Sequence, residues 1–261
     1  MQDGPILYGV GTGPGDPDLM TVKAIKAIAN SDVVAHFAKL GRTGNARTIA
    51  DSWMNTNVEE VPLYYPVTTE LNHRSDEYRT AIQDFFDTSA ETIRAQLKAG
   101  RTVSVLSEGD PMFYGSYMHL HIRLANDFNT IVIPGITAMS GCWSQAGLPL
   151  VQGEDAMTVL PGTMDEETLV QRLSGSEAAI IMKVGSNLPK IRRALRSAGK
   201  LDGAIYVERG TMENGFHQPL SEKEDDKAPY FSLLLVPGWS SKPGGSIKLT
   251  GSVQLGGSDK P

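Results

Sequence analysis

The stretch GVGTGPGDPDLMT, from Gly9 to Thr21, places four glycines and two prolines between the apolar run ILYGVG and a helical pattern. The apolar run is typical of a strand, and apolar residues recur on one face after Thr21. The Thr21 hydroxyl is suited to cap the first turn of that helix. Glycine at such a junction lets a backbone approach a neighbouring group closely. The stretch therefore predicts a strand, a small-residue loop and a helix.

The same alternation continues outward from this stretch to the end of the chain. Further strands are predicted at DVVAHF, TVSVLSEG, TIVIPG, AMTVLPG, AAIIMKVG, GAIYVERG and YFSLLLVPG. Helical patterns include a long one from Arg74 to Leu97 and shorter ones at TAMSGCWSQAG, DEETLVQRLSG and NLPKIRRALRSAG. Strands that alternate with helices indicate an α/β fold with substantially parallel sheets.

The pattern is interrupted near Pro149, which is flanked by two glycines. Breaks of this kind mark domain boundaries. We therefore expect an N-terminal α/β domain with Gly-rich loops at 1–148, a C-terminal α/β domain at 149–239 and a Gly/Ser-rich tail at 240–261. The composition of the tail is typical of a flexible linker or a tag remnant, although its alternation SIKLTGSVQL could form a hairpin.

The overall composition excludes several classes of protein. A net charge of −6 over 261 residues argues against nucleic acid as a partner, because that binding needs a basic surface. The single cysteine, Cys142, excludes an internal disulfide framework and fits a reducing compartment. The start of the chain lacks a signal-peptide pattern, and its apolar runs are too short to span a bilayer. A cytoplasmic protein is expected.

The glycine loop fails both common phosphate-binding patterns. The spacing G-x-G-x-x-G would need glycine at Pro14 or at Asp16, and no lysine occurs before Lys23 to complete a P-loop. The Asp16 carboxylate would also repel a phosphate. The loop is therefore either a structural turn or a site for another ligand.

Two further loops share this character. SEGDPMFYGS, from Ser107 to Ser116, and PGITAMSG, from Pro134 to Gly141, each follow a predicted strand and precede a helix. In open α/β sheets, ligands bind in the crevice at the carboxyl ends of the strands. The three loops together predict such a crevice.

In this order, the three loops and the later VERGT resemble the tetrapyrrole (class III) S-adenosylmethionine-dependent methyltransferases of corrin and sirohaem biosynthesis, over Gly9 to about Pro237. The resemblance implies the tetrapyrrole methylase fold, in which an active-site trough lies between two α/β domains. It also implies a homodimer and S-adenosylmethionine as cofactor. Within the family, LYYPVTTE (Leu63 to Glu70) and MKVGSNLPKI resemble the precorrin-2 C(20)-methyltransferases.

The resemblance also implies site residues, and no metal is expected. The implied cofactor contacts are Pro14, Glu108, Gly109, Asp110, Met112, Phe113, Thr137, Ala138, Lys183, Val184, Gly210 and Pro237. The expected residues of the substrate trough are Gly11, Gly13, Gly15, Asp16, Tyr64 and Tyr65. Asp110 can accept hydrogen bonds from amino or ribose groups, and Thr137 offers a hydroxyl. The glycines would leave room for a flat macrocycle near the methyl donor.

The implied reaction is methyl transfer to C(20), a meso carbon of precorrin-2, in corrin biosynthesis. Uroporphyrinogen-type relatives carry a Tyr-Asp pair where this chain has His36 and Phe37, so the proton acceptor stays open. Alternatives are a cobalt-factor II acceptor, another ring carbon or another tetrapyrrole, a diphthine-type methyltransferase, and a non-catalytic sensor of an adenosine ligand.

Three other features have simpler interpretations. His119 and His121 point apart on a helix, which disfavours a metal site. Cys142 is expected to be a small core residue. The basic run from Lys190 to Lys200 is expected to form a solvated helix face rather than a site for substrate carboxylates.

Overall fold

A computed structural model describes residues 4–66 and 75–238, which fall into two compact units, Met1–Thr137 and Ala138–Pro261. The division between the two units falls after Thr137, upstream of the boundary expected near Pro149. The helix after Thr137 is assigned to the second unit, where Cys142 packs closely against Gly210. The Gly/Ser-rich tail, with its possible hairpin, and the end of the LYYPVTTE segment lie outside the described residues.

The first unit contains a five-stranded sheet in which every pair of neighbours is parallel, as the sequence predicts. Its strands are β1 (Leu7–Gly11), β2 (Val33–Lys39), β3 (Glu59–Tyr65), β4 (Val103–Ser107) and β5 (Thr130–Ile133). Their order across the sheet is β3-β2-β4-β1-β5. All five carboxyl ends therefore meet at one edge, which we call the loop edge.

In the described part of the first unit, four α-helices accompany the sheet: α1 (Val22–Ala29), α2 (Asn45–Ala50), α3 (Asp76–Lys98) and α4 (Tyr117–Leu124). The predicted cap is confirmed, since Thr21 Oγ1 accepts a hydrogen bond from the Ala24 amide at 3.1 Å. Two apolar clusters cover opposite faces of the sheet. Leu7 belongs to one and Val10 to the other, so β1 is buried on both faces.

The second unit contains α5 (Ala138–Gln145), β6 (Met157–Pro161), α6 (Glu166–Ser174), β7 (Ala178–Met182), α7 (Leu188–Ser197), β8 (Ile205–Glu208), β9 (Phe216–Pro219) and β10 (Ser232–Val236). The sheet order is β6-β7-β10-β8-β9. Among these five strands, β6 and β7 pair in parallel and the other three neighbouring pairs are antiparallel. The prediction of parallel pairing is therefore wrong for most of this sheet. β8 reaches β9 without a crossover helix, and such a connection produces an antiparallel pair.

Apolar side chains from both faces of the second sheet are buried, and one cluster joins α6 and α7 to the strands. Within the described parts of the chain, no helix is both long enough and apolar enough to cross a membrane.

Candidate functional site

The loops after β1 and β4 are joined at the loop edge. The amides of Gly13 and Gly109 donate to each other's carbonyl oxygens, at 3.3 and 2.8 Å. Next to this pair, the buried Thr12 donates both its amide, at 2.9 Å, and its hydroxyl, at 3.1 Å, to the Ser107 carbonyl. Four hydrogen bonds therefore fix the first glycine loop on the second. Sequence reasoning did not identify Thr12, because its partner is distant along the chain.

The third loop packs against the same pair through glycine. A Cβ on Gly135 would overlap the Gly109 carbonyl oxygen, and a Cβ on Gly11 would lie 2.6 Å from the Gly135 amide nitrogen. Gly13 has a φ of 81°, and a Cβ added at this position would lie only 3.3 Å from the Leu19 carbonyl oxygen. Gly11 and Gly135 thus let protein backbones approach one another, whereas the sequence interpretation reserved the space at Gly11 for the macrocycle.

The aspartate of each Gly-Asp-Pro turn accepts hydrogen bonds from backbone amides. Asp110 Oδ1 accepts from the Met112 amide at 2.8 Å, and Oδ2 accepts from the Gly135 amide at 3.1 Å. Asp16 caps the 3-10 helix Pro17–Leu19 by accepting from the Asp18 amide at 2.9 Å. Each carboxylate oxygen has a second lone pair, so Asp110 keeps acceptor capacity for a ligand.

The second loop presents side chains to solvent at the loop edge. Met112 and Glu108 are exposed, whereas Pro14 of the first loop is buried. Beyond the half-buried Phe113, Tyr114 has a φ of 55°, a conformation that costs non-glycine residues about 1 kcal/mol or more and that is concentrated at functional sites.

The same kind of backbone strain marks the predicted positions in the second unit. Lys183 follows β7 with a φ of 55°, and Arg209 and Thr211 flank Gly210 with φ values of 48° and 67°. Val184 is fully buried, so only its backbone could reach a ligand. The antiparallel register brings the ends of β7 and β8 to one edge of the sheet.

Pro237 lies away from this group. It follows β10, whose residue Val236 pairs with Ala179 near the start of β7, so Pro237 and Lys183 are at opposite edges of the sheet. Thr137 and Ala138 lie at the beginning of α5. The helix carries Gln145, whose side-chain oxygen accepts a hydrogen bond from the Thr211 amide.

Buried polar atoms without partners accompany these loops. Gln145 Nε2 and Thr211 Oγ1 in the second unit, and Ser107 Oγ in the first, make no hydrogen bond with a described residue. Such atoms usually have a partner in a complete site. In the second unit, the Gln145 amide and the Thr211 hydroxyl, beside the strained backbone at Thr211, could bind the polar groups of an adenosine-containing molecule. Gln145 was not predicted, because its partner Thr211 is 66 residues away in the chain.

The two tyrosines expected in the substrate trough point to opposite faces of β3. Tyr65 stacks on Phe37 with ring centroids 5.8 Å apart, and its hydroxyl pairs with Ser116. Tyr64 is 44% exposed and lines a pocket at the other face. The two side chains are therefore not brought together.

That pocket, which we call the β2–β3 pocket, has a volume of about 470 Å³. It is lined by His36, Arg42, Thr43, Arg47, Thr48, Asp51, Glu60, Pro62 and Tyr64. Arg47 donates to both Glu60 oxygens, at 2.5 and 2.8 Å, and to Asp51 at 2.6 Å. The Arg47 hydrogen bonds lower the pKa of Glu60. Burial lowers the pKa of His36, whose Nε2 lies 3.6 Å from Glu60.

The structure agrees with the simpler interpretations of the two histidines and of Cys142. His119 stacks on Phe86 and His121 lies 3.3 Å from the Tyr117 hydroxyl, so the two imidazoles have separate surroundings. Cys142 is buried, and burial raises the pKa of its thiol to about 12.

The comparisons with known proteins give the same family that the three loops resemble. Residues 6–223 match the family described as Tetrapyrrole (Corrin/Porphyrin) Methylases. A precorrin-2 C(20)-methyltransferase from Sinorhizobium sp is 64% identical over 237 residues, which are 91% of this chain and 97% of that protein.

Two solved structures share the fold at low identity. A cobalt precorrin-4 methyltransferase has a TM-score of 0.69 at 18% identity, over 89% of this chain and 94% of that one. A uroporphyrin-III C-methyl transferase from Thermus thermophilus, complexed with S-adenosyl homocysteine, has a TM-score of 0.61 at 20% identity, over 90% and 97%. The family match covers most of the chain and the loops behind the resemblance, and the chain belongs to the tetrapyrrole methylases.

Proposed function

We propose that this protein transfers a methyl group from S-adenosylmethionine to C(20) of precorrin-2, in corrin biosynthesis. The observation that carries the proposal is 64% identity to a precorrin-2 C(20)-methyltransferase across 91% of the chain. The bonded glycine loops at the loop edge supply a rigid support for the reaction, which depends mainly on alignment of the reacting carbons.

The described residues divide the work of holding the cofactor. In the first unit, Asp110 and the backbone around Gly109 are the proposed contacts, with Met112 exposed beside them. In the second unit, they are the backbone at Lys183 and Gly210, with the unpartnered polar atoms of Gln145 and Thr211. Pro237 is left out because of its place in the sheet.

S-adenosylmethionine supplies an electrophilic methyl group on a sulfonium when it is bound. The protein contributes orientation and the exclusion of water, since charge is lost as the sulfonium becomes a thioether. C(20) must then release a proton. We assign no residue to that step, because His36 is buried beneath the Glu60–Arg47 pair.

The proposal extends to a cytoplasmic homodimer. The single buried cysteine is suited to a reducing compartment, and light scattering distinguishes a dimer from one chain of 28.2 kDa.

The test is methyl transfer followed by NMR. Purified protein is incubated without air with precorrin-2 and S-adenosylmethionine labelled with ¹³C in the methyl group, and cobalt-containing acceptor is used in a parallel reaction. The expected product carries the label at C(20) of the metal-free ring. Label at a pyrrole carbon, faster use of the cobalt acceptor, or no transfer despite S-adenosylhomocysteine binding by calorimetry would contradict the proposal.

A further inference from the structure

The β2–β3 pocket lies in the first unit and runs along β3 from Glu60 to Tyr64, and it is not used by the proposed cofactor contacts. Its Tyr64 end, with Arg42 of the segment after β2, lies beside the carboxyl ends of the two strands. The strand order places β3 three positions from β1, which carries the first glycine loop. At about 4.8 Å per strand, the separation across the sheet is about 14 Å. A ligand that reaches from the glycine loops along the loop edge would arrive at this pocket.

The pocket contains two arginines and two carboxylates, and both carboxylates are paired with the same arginine. Both carboxylates, Glu60 and Asp51, are bonded to the Arg47 guanidinium, so these three charges form a closed network. Arg42 is exposed and makes no side-chain hydrogen bond or ion pair with a described residue. The group still available to a ligand is therefore a guanidinium, which pairs with carboxylates through two parallel hydrogen bonds.

The Glu60 carboxylate in the same pocket is held in place by its neighbours. His36 is 6% exposed, and its Nε2 lies 3.6 Å from the Glu60 carboxylate. Its buried Nδ1 has no partner among the described residues and lies close to Gly44, at the start of α2. Glu60 is thus held by Arg47 and His36, and it is not free to turn toward Arg42. The exposed Tyr64 hydroxyl adds a second donor on the same pocket wall.

We propose that the β2–β3 pocket is a subsite for a carboxylate on the rim of the tetrapyrrole, with Arg42 as its main ligand and the Tyr64 hydroxyl as an additional donor. The inference rests on the proposed function, because the acetate and propionate side chains of precorrin-2 supply the carboxylate. Arg42 then fixes how the ring is turned and therefore which meso carbon faces the methyl donor. It acts in substrate positioning and not in the transfer itself.

The test measures substrate binding without turnover. The Kd of precorrin-2 is determined by tryptophan fluorescence quenching on protein loaded with S-adenosylhomocysteine. For Arg42→Ala we expect a rise of roughly 10- to 100-fold, the range for loss of a charge-assisted hydrogen bond. Arg42→Lys should fall between this variant and the unmodified protein, because it keeps the charge but loses the paired geometry. The matched control is Arg79→Ala, whose side chain is 67% exposed on α3 and pairs only with Asp76 among the described residues.

A second variant tests the sign of the charge that is bound. Asp51 is 73% exposed, so Asp51→Asn should fold, and removal of its negative charge should leave the Kd of precorrin-2 unchanged or lower it. A rise of more than threefold in this variant would indicate a cationic ligand and overturn the proposal. A rise of less than threefold in Arg42→Ala would overturn it as well.

The subsite and the proposed function fail in different ways. If the unmodified protein binds precorrin-2 through Arg42 but transfers no methyl group, only the proposed function is wrong. If transfer to C(20) occurs and the Kd is independent of Arg42, only the subsite is wrong. The S-adenosylhomocysteine Kd should be unchanged in all four variants, and a parallel loss there would overturn the assignment of Arg42 to the tetrapyrrole.

Discussion

At the scale of the residue, Gly11 shows how tightly the three loops meet. The position of a Cβ on Gly11 is 2.6 to 2.7 Å from backbone atoms of Gly135 and Gly109. Backbone atoms cannot rotate away as a flexible side chain can. Even a methyl group at this position must therefore shift a loop.

We expect Gly11→Ala to lower the free energy of unfolding by about 1–3 kcal/mol, the usual range for an overpacked site. Urea denaturation followed by circular dichroism measures the change. Gly203→Ala is the control, because nothing lies within 4 Å of its built Cβ and its φ is not in the positive range. Equal stability of the two variants would show that the loops adjust freely around Gly11.

Sequence reasoning at this scale succeeds where a residue's partner is close in the chain. The Thr21 cap acts on an amide three residues away, and the sequence predicted it correctly. Gln145 and Thr211 were not predicted as partners, since their hydrogen bond joins residues 66 apart in the chain. Asp16 was expected in the substrate trough, although its carboxylate caps a neighbouring turn.

At the scale of the element, the side chain of Arg192 connects α7 to the segment that follows β9. Arg192 donates to the carbonyl oxygens of Leu220, Lys223 and Asp225, and it pairs with Asp226 at 2.8 Å. The next residue, Arg193, pairs with Glu166 at 2.8 Å and is 55% exposed. The basic run is solvated only in part, because Arg192 holds the segment after β9 against the helix.

We expect Arg192→Met to reduce the free energy of unfolding by about 1–3 kcal/mol, because it leaves partly buried carbonyl groups without a donor. Arg193→Met should change it little, since exposed ion pairs contribute little to stability. Thermal and urea denaturation of the two variants provide the comparison. A larger loss for Arg193→Met would contradict this account of α7.

The elements predicted from sequence were those with a clear apolar period. The strands β1, β2, β4 and β5 of the first sheet and the long helix α3 fall in this class, whereas β3, EEVPLYY, was missed because much of it is exposed. The strand β9, FHQP, was missed because it has little apolar character. The antiparallel direction of β10 could not be predicted either, because an apolar run fits a sheet equally well in both directions. Pro237, which the family resemblance implied as a cofactor contact beside Lys183, follows β10 at the other edge of the sheet.

At the scale of the whole molecule, two buried histidines couple stability to pH. His36 and His217 are 6% and 5% exposed, and burial lowers the pKa of both below the ordinary value of 6.5. In this range the unfolded chain binds more protons than the folded protein. Stability is therefore fully present above pH 6.5 and is lost as the pH falls toward the lowered pKa values.

We expect the free energy of unfolding to fall between pH 7.5 and pH 5.5, by up to about 1.4 kcal/mol per pH unit for each histidine within its window. Urea denaturation at several pH values measures the slope. His217→Gln should flatten it, whatever its effect on stability at neutral pH. A slope that is the same with and without His217 would rule out its contribution.

The position of β1 inside the first sheet also affects how the protein is made. β1 is synthesised before the other four strands of its sheet. It pairs with β4 on one side and β5 on the other, and its Leu7 lies opposite Val103 and Thr130. At ~5–20 residues per second, a ribosome needs roughly 5–20 s to reach Val103 after Leu7. During that interval β1, which is buried on both faces in the folded sheet, has neither neighbour, so each nascent chain depends on its own later sequence, or on a chaperone, to keep β1 from pairing elsewhere.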